Sequence, residues 1–288
     1  LIAGASKGEG LGNKFLANIR ETDAIMHVVR CFENPSVVRE EPVDPKGDME
    51  IIELELVLAD METVTKAIDR VSKKARSGDK ESVYQRDVYQ RAKDVLETGQ
   101  SVRAAEWKPE EWNALKPLCL LSAKPVLYVA NVADDDFDGQ SKHAQAVAAH
   151  AEATGSQWIP ICSDLEAELS AMEEDERQSF MQDLGLENPG LDRLIQATYK
   201  LLGLQTYYTA GPKEIRAWTI HQGDKGPKAA GVIHTDFEKG FIRAEVYSVD
   251  DLIQYKTETA IKAAGKLRTE GRDYVMREFD VCHFLIGR

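Results

Sequence analysis

PVLYVAN (Pro125–Asn131) and WIPIC (Trp158–Cys162) are two short apolar runs separated by an Ala-rich, helix-forming stretch over 142–154. Strand, helix, strand in that order is the grammar of a parallel α/β sheet, because parallel neighbours need a long crossover. Reading backwards, IMHVVRCF (Ile25–Phe32) is a third run rich in β-branched residues, and it predicts a buried strand. Asn13–Ala24 reads as a helix, with Phe15, Leu16 and Ile19 on its apolar face and Gly12 at its start. Three prolines and many charges make 34–48 a loop.

Between the first strand and PVLYVAN lies a long helical stretch. Leu54, Leu58, Met61, Val64, Ile68, Val71 and Ala75 recur at steps of three and four, the seam of an amphipathic or coiled-coil helix. SGDK (Ser77–Lys80) breaks it, and Glu81–Gly99 resumes with Val88, Ala92 and Val95 on one face. Two helices joined by a short polar turn predict an antiparallel hairpin. Beyond WIPIC, Asp164–Met172, Arg177–Leu184 and Leu191–Leu202 are predicted helices. From Gly203 the style changes. EIRAWTI, GVIHTDF and FIRAEVYS read as strands, Asp250–Gly265 as one helix, and Tyr274–Met276 and Val281–Ile286 as closing strands. That pattern predicts a small α+β unit of the β-grasp kind.

The chain has 288 residues and a net charge of −13, which argues against wholesale binding to nucleic acid and leaves no expectation of DNA. The acid is unevenly spread: residues 203–288 hold 13 basic and 12 acidic residues, so nearly all the excess lies before them. A C-terminal module near neutrality can carry an RNA contact, with Lys239, Arg243, Lys262, Lys266 and Arg268 as candidates. Cys31, Cys119, Cys162 and Cys282 are scattered singly, which disfavours a disulfide framework or zinc site and fits a reducing compartment. No apolar run approaches the roughly 18 residues of a membrane span, so no membrane partner and a cytoplasmic location are expected.

Three local signals carry chemistry. GASKGEGLGN (Gly4–Asn13) is a Gly-rich loop entering a helix, with Gly4, Gly8, Gly10 and Gly12 as its hinges. Backbone N–H groups at such a place favour an anion, although a plain flexible hinge has the same composition. Asn131-Val132-Ala133-Asp134 follows a parallel strand, where ligands of open α/β sheets bind. An Asn-Lys-x-Asp turn there reads guanine in GTPases; Val132 stands in place of the lysine. Ser163, in Cys162-Ser163-Asp164, follows the next strand, where such folds close the base pocket.

In that order the three signals resemble one family. GASKGEGLGNKFLANIRETDAIMHVVRCFEN (Gly4–Asn34) resembles the switch II region of the YchF-type, or Obg-like, ATPases. The helical hairpin resembles their coiled-coil insert. LGLENPGLDRLI, LQTYYTAGPKEIRAWTI and AAGVIHTDFEKGFIRAEVYS resemble their last G-domain helix and C-terminal TGS module. The resemblance implies a P-loop GTPase-like parallel sheet, N-terminally incomplete, with an α-helical coiled-coil insert and an α+β, β-grasp TGS domain. The implied segments are 1–48 (G domain from switch II onward), 49–118 (insert), 119–202 (G domain, continued) and 203–288 (TGS).

The activity implied is hydrolysis of ATP in preference to GTP, dependent on Mg²⁺, by a monomer associated with the ribosome or ribosomal RNA. Asn131, Val132, Asp134 and Ser163 fall on the base-binding positions. The G-x-x-x-x-G-K-[ST] loop and the Mg²⁺ ligands are expected before Leu1, with no metal ligand inside this chain, so these 288 residues are expected to hydrolyse nucleotide negligibly. Two departures bear on mechanism. Arg39 stands where family members carry a catalytic histidine; it cannot act as a base but could neutralise transition-state charge. Asp134 stands where the family often has Glu, and resembles the guanine reader of GTPases. Two alternatives therefore stay open: a GTP-specific hydrolase, and a non-hydrolysing ribosome- or RNA-binding module built on the insert and the TGS domain.

Overall fold

The computed structural model describes residues 12–33, 42–211 and 214–287. The chain divides into two compact units, Leu1–Ala197 and Thr198–Arg288.

The first unit runs α1 (Gly12–Arg20), β1 (Ile25–Arg30), α2 (Pro45–Arg76), α3 (Lys80–Glu97), α4 (Pro109–Leu115), β2 (Val126–Asn131), α5 (Lys142–Ala153), β3 (Gln157–Ile161), α6 (Ser163–Ala171) and α7 (Glu174–Asp183). Then α8 (Gly190–Leu201) crosses the division. The three strands form a parallel sheet in the order β1-β2-β3. Their register sets Arg30 beside Asn131 and Asn131 beside Ile161, so the three C-terminal ends lie level. Central β2 is buried from Val126 to Ala130, and Tyr128, Ala130 and Val132 pack with Val147 of α5 and Leu165 and Leu169 of α6.

The expected burial of the Ile25–Phe32 strand needs correction. On β1 only Val29 is fully buried, while Met26 and Val28 are 51% and 61% exposed. Among the described residues β1 is an edge strand with one face uncovered.

Asp44 starts α2 by accepting from the Gly47 amide (3.1 Å), with Pro45 in the first turn, where a missing N–H costs nothing. Gly78, at φ +84°, makes the turn that ends α2, and the Asp79 carboxylate caps α3 by accepting from the Ser82 amide (2.9 Å). The two helices share a core of Val57, Val64, Ala67, Val88, Tyr89, Ala92 and Leu96. Leu54 and Leu58, expected in the seam, are 49% and 40% exposed. In its first half α2 packs against α5, β1 and the 121–123 turn, so its buried residues there include Met49, Glu55, Leu56, Ala59 and Asp60.

The second unit runs β4 (Leu204–Ala210), β5 (Ile215–His221), α9 (Gly226–Ile233), α10 (Thr235–Gly240), β6 (Phe241–Ser248), α11 (Val249–Tyr255), α12 (Glu258–Ala263), β7 (Arg268–Glu270) and β8 (Asp280–Ile286). Its sheet has the order β5-β4-β8-β6-β7, with β4 and β8 parallel and the other pairs antiparallel. On one face Ala229 and Ala230 of α9 pack with Tyr207, Ile220, Phe241 and Val246. GVIHTDF is therefore not a strand: its residues end α9 and open α10. The predicted Asp250–Gly265 helix is two, broken where Lys256 turns left-handed at φ +64°. Tyr274–Met276 is likewise no strand, contributing only a bridge from Val275 to Lys225, and β4 and β7 escaped the sequence reading.

Candidate functional site: a cavity at the strand tips

The level C-terminal ends of β1, β2 and β3 frame the site. Asn131 ends β2, and its Oδ1 accepts from the Ser163 hydroxyl (2.9 Å) and the Ser163 amide (3.2 Å), tying the 131–134 turn to the first residue of α6. With Oδ1 committed, the amide –NH₂ is the end of Asn131 that can donate to a ligand. The Val132 amide donates to the Ile161 carbonyl (3.0 Å), which holds the turn against β3. Asn131 and Ser163, placed far apart in sequence, thus lock each other.

Beside them lies an open cavity of about 300 Å³. Phe32, Val132 and Leu165 give it apolar walls; Glu33, Asp134, Asp164 and Glu168 give it carboxylates. Of the expected base-binding residues, Val132 and Asp134 line this cavity, whereas Asn131 and Ser163 are bound to each other and are not part of the lining. Val132 is only 2% exposed, its side chain shared with the core beneath, while Asp134 is exposed. Phe32 is held on the wall by Arg30, whose Nε donates to the Phe32 carbonyl (3.0 Å) and whose guanidinium lies 5.2 Å from the ring centre. The sequence reading missed Phe32, Glu33, Asp164, Leu165 and Glu168. The available signal was position: Phe32 and Glu33 leave β1 at the same sheet edge, and Asp164 and Glu168 are one turn apart at the start of α6.

Two flat apolar sides and a carboxylate rim suit a planar heterocycle bearing N–H or amino donors. Among the described residues no Lys or Arg belongs to that lining, and its four carboxylates would repel a phosphate chain. Of the expected switch loop only Gly12 is described, buried as the first residue of α1; Gly4, Gly8, Gly10 and Arg39 lie outside the described residues. Among the described residues no group of three His, Cys, Asp or Glu side chains converges to hold a metal.

A half-buried polar hub supports β2. Glu53 Oε1, on α2, accepts from the Tyr128 hydroxyl, from Arg103 Nη2 (3.1 Å) and meets His150 Nε2 (3.3 Å). His27 lies against Tyr128, ring centres 5.6 Å apart. Burial pushes the His27 imidazole down to about 4, with Glu53 opposing and His150 adding to the shift. Two turns along α2, fully buried Asp60 accepts from the Leu121 amide (2.9 Å) and from the Ser122 amide and hydroxyl (2.7 Å each), with Arg20 of α1 at 3.7 Å. Burial pushes the Asp60 carboxyl up, against the pull of those donors. In the second unit Arg268 is occupied by Glu270 (3.1 Å), Asp280 (3.3 Å) and the Tyr274 hydroxyl (3.1 Å), which makes it part of the scaffold and removes it from the free cations.

Known proteins agree with this arrangement. Residues 204–287 match the family model described as YchF-GTPase_C, protein of unknown function (DUF933). The ribosome-binding ATPase YchF of Haemophilus ducreyi is 51% identical over 285 residues, which cover 99% of this chain and 78% of the relative. The protein of the same name from Bacillus subtilis is 46% identical over 287 residues, covering 99% and 78%. The solved Schizosaccharomyces pombe YchF GTPase superposes with a TM-score of 0.85 at 36% identity, covering 96% of this chain and 75% of that one. With relatives about half identical over nearly its whole length and a solved member of matching fold, this chain belongs to the YchF family.

Proposed function

We propose that the chain belongs to a translation-associated, ribosome-binding ATPase, that the cavity beside Asn131–Asp134 seats the purine of ATP, and that the C-terminal unit is a β-grasp TGS module. The observation carrying this reading is the cavity's place at the level tips of three parallel strands, where open α/β sheets bind ligands. Phe32 and Leu165 cover the faces of the base, the carboxylate of Asp134 accepts from its amino edge, and the Asn131 –NH₂ supplies a donor beside it. Val132 in place of a lysine removes a cation from the base. ATP is the preferred nucleotide, as the names of the bacterial relatives support; Asp134 keeps GTP as the rival. Phosphoryl transfer needs a phosphate-gripping loop and Mg²⁺. The 288 residues contain no G-x-x-x-x-G-K-[ST] sequence, so their own turnover is negligible. A cytoplasmic location fits four unpaired cysteines, and among the described residues no helix is long and apolar enough to cross a membrane.

Equilibrium titration of the chain with ATP and with GTP tests the assignment. ATP binds more tightly, and Asp134→Asn weakens it by roughly 10- to 100-fold, the value of a hydrogen bond to a charged acceptor. Binding indifferent to Asp134→Asn and to Phe32→Ala would move the base elsewhere and end this reading. Tighter binding of GTP would instead assign the enzyme to guanine.

A further inference from the structure

The turn end of the α2–α3 hairpin carries charge opposite to that of the rest of the chain. Residues 66–80 hold Lys66, Arg70, Lys73, Lys74, Arg76 and Lys80 against Asp69 and Asp79, a balance of +4 in a chain of −13, so the remaining residues carry −17. All six cations are exposed.

Their arrangement is ordered. At 100° per residue Lys66, Arg70 and Lys73 fall on one stripe of α2, on the side away from Val64, Ala67, Val71 and Ala75, the seam toward α3, and Lys74 lies at the edge between stripe and seam. The stripe extends about 12 Å along the helix. Lys66 is paired with Glu62, and Lys74 adds to the lowering of the Asp79 carboxyl that its hydrogen bonds with Ser82 chiefly cause. The side chains of Arg70, Lys73, Arg76 and Lys80 make no hydrogen bond or ion pair with a described residue.

Helix electrostatics explain only part of this. Cations in the last turn of α2, Lys73, Lys74 and Arg76, complement the carbonyl end of its dipole. Arg70 lies before that turn. Lys80 occupies the first position of α3, where the dipole disfavours a cation. Tyr84, one turn further along α3 and 44% exposed, places an aromatic ring on the Lys80 side. Cations one turn apart beside an exposed ring suit a polyanion with stackable bases better than a protein partner, whose anchors are buried apolar and aromatic side chains.

We propose that this hairpin tip grips the sugar–phosphate backbone of ribosomal RNA. The inference rests on the ribosome being the partner, as proposed above, and adds where and by what chemistry contact is made.

The test compares the chain with its Arg70→Gln/Lys73→Gln/Lys74→Gln/Arg76→Gln variant. Each is titrated with bacterial ribosomes and with protein-free ribosomal RNA across about 50–200 mM potassium chloride. The four positions are exposed, so far-UV circular dichroism stays that of the parent, and the melting temperature falls by only a few degrees, the effect of removing three cations from the last turn of α2. The variant loses at least about tenfold in affinity for both targets, and its salt slope falls by about 4, one per phosphate contact. Unchanged affinity and slope would overturn the proposal. A parent that binds ribosomes but not free RNA, with binding weakened in the variant, would assign the tip to a ribosomal protein. A parent that binds free RNA through the tip but not ribosomes would sink the functional reading and keep the tip as an RNA surface; binding to neither would overturn both.

Discussion

His27 illustrates how a single side chain in this fold acquires an energetic role that its neighbours in sequence do not announce. Half-buried against Tyr128 and facing Glu53, His150 and Asp48, its imidazole is held near 4, against about 6.5 when unfolded. Below 6.5 the unfolded chain takes up a proton that the folded chain refuses. Stability is therefore intact above 6.5 and is lost as pH falls from 6.5 toward 4. His27→Phe, which keeps a ring against Tyr128 but cannot titrate, flattens that part of the profile. Urea unfolding of both proteins at pH 7 and pH 5 measures it, and an equal loss in the two would clear His27 of the effect. At the same scale the site was half legible. Asn131–Asp134 could be read because a strand end is visible in sequence and a turn after it is a known ligand position. Phe32, Glu33, Asp164 and Glu168 could not, since each is an ordinary polar or loop-edge residue until pairing sets β1 and α6 around the same tip.

Elements were most legible where one period governed the whole segment. The α2–α3 hairpin follows its three-four spacing through Val64, Ile68 and Val71, and the break at Gly78 and Asp79 was readable as turn chemistry. Reading failed where a helix changes partner along its length: α2 buries Leu56 and Val57 and leaves Leu54 and Leu58 outside. It also failed where helices are short. The β-branched GVIH segment has strand propensity but ends a helix, because Ala229 and Ala230 are held against Tyr207, whose hydroxyl donates to the Ala229 carbonyl (2.9 Å). Packing outweighs propensity there. In the hairpin the decisive contact is Leu96, 2% exposed within the shared core of α2 and α3. Leu96→Ala removes a fully buried side chain with little room for collapse and costs about 2–5 kcal/mol. Hydrogen exchange of α2 and α3 then rises well above that of β2; an even rise across the first unit would mean that the hairpin and sheet unfold as one.

At the scale of the whole molecule, the division into Leu1–Ala197 and Thr198–Arg288 has a thermodynamic consequence. The second unit closes its own core with Tyr207, Ile220, Phe241, Val246, Met276 and Cys282. It also satisfies its own buried charge. Asp280, 2% exposed, accepts from the Tyr274 hydroxyl (2.7 Å) and the Arg277 amide (2.9 Å) and pairs with Arg268, all within the unit. The end of α8 is held from inside as well, by Tyr199 and Thr219 hydroxyls 3.2 Å apart. A domain of this size buries enough surface to fold alone. The first unit differs in that its sheet, among the described residues, ends on β1 with Met26 and Val28 exposed, the kind of edge that associates with other chains. Residues 198–288 expressed alone should therefore melt reversibly and cooperatively, at the same temperature as one of two transitions in calorimetry of the full chain. The other transition should be the one that scatters light on heating, and Val28→Lys should suppress the scattering without moving the transition of 198–288. A single transition for the whole chain, or a 198–288 fragment without near-ultraviolet dichroism, would mean that the second unit's core is not sufficient to itself.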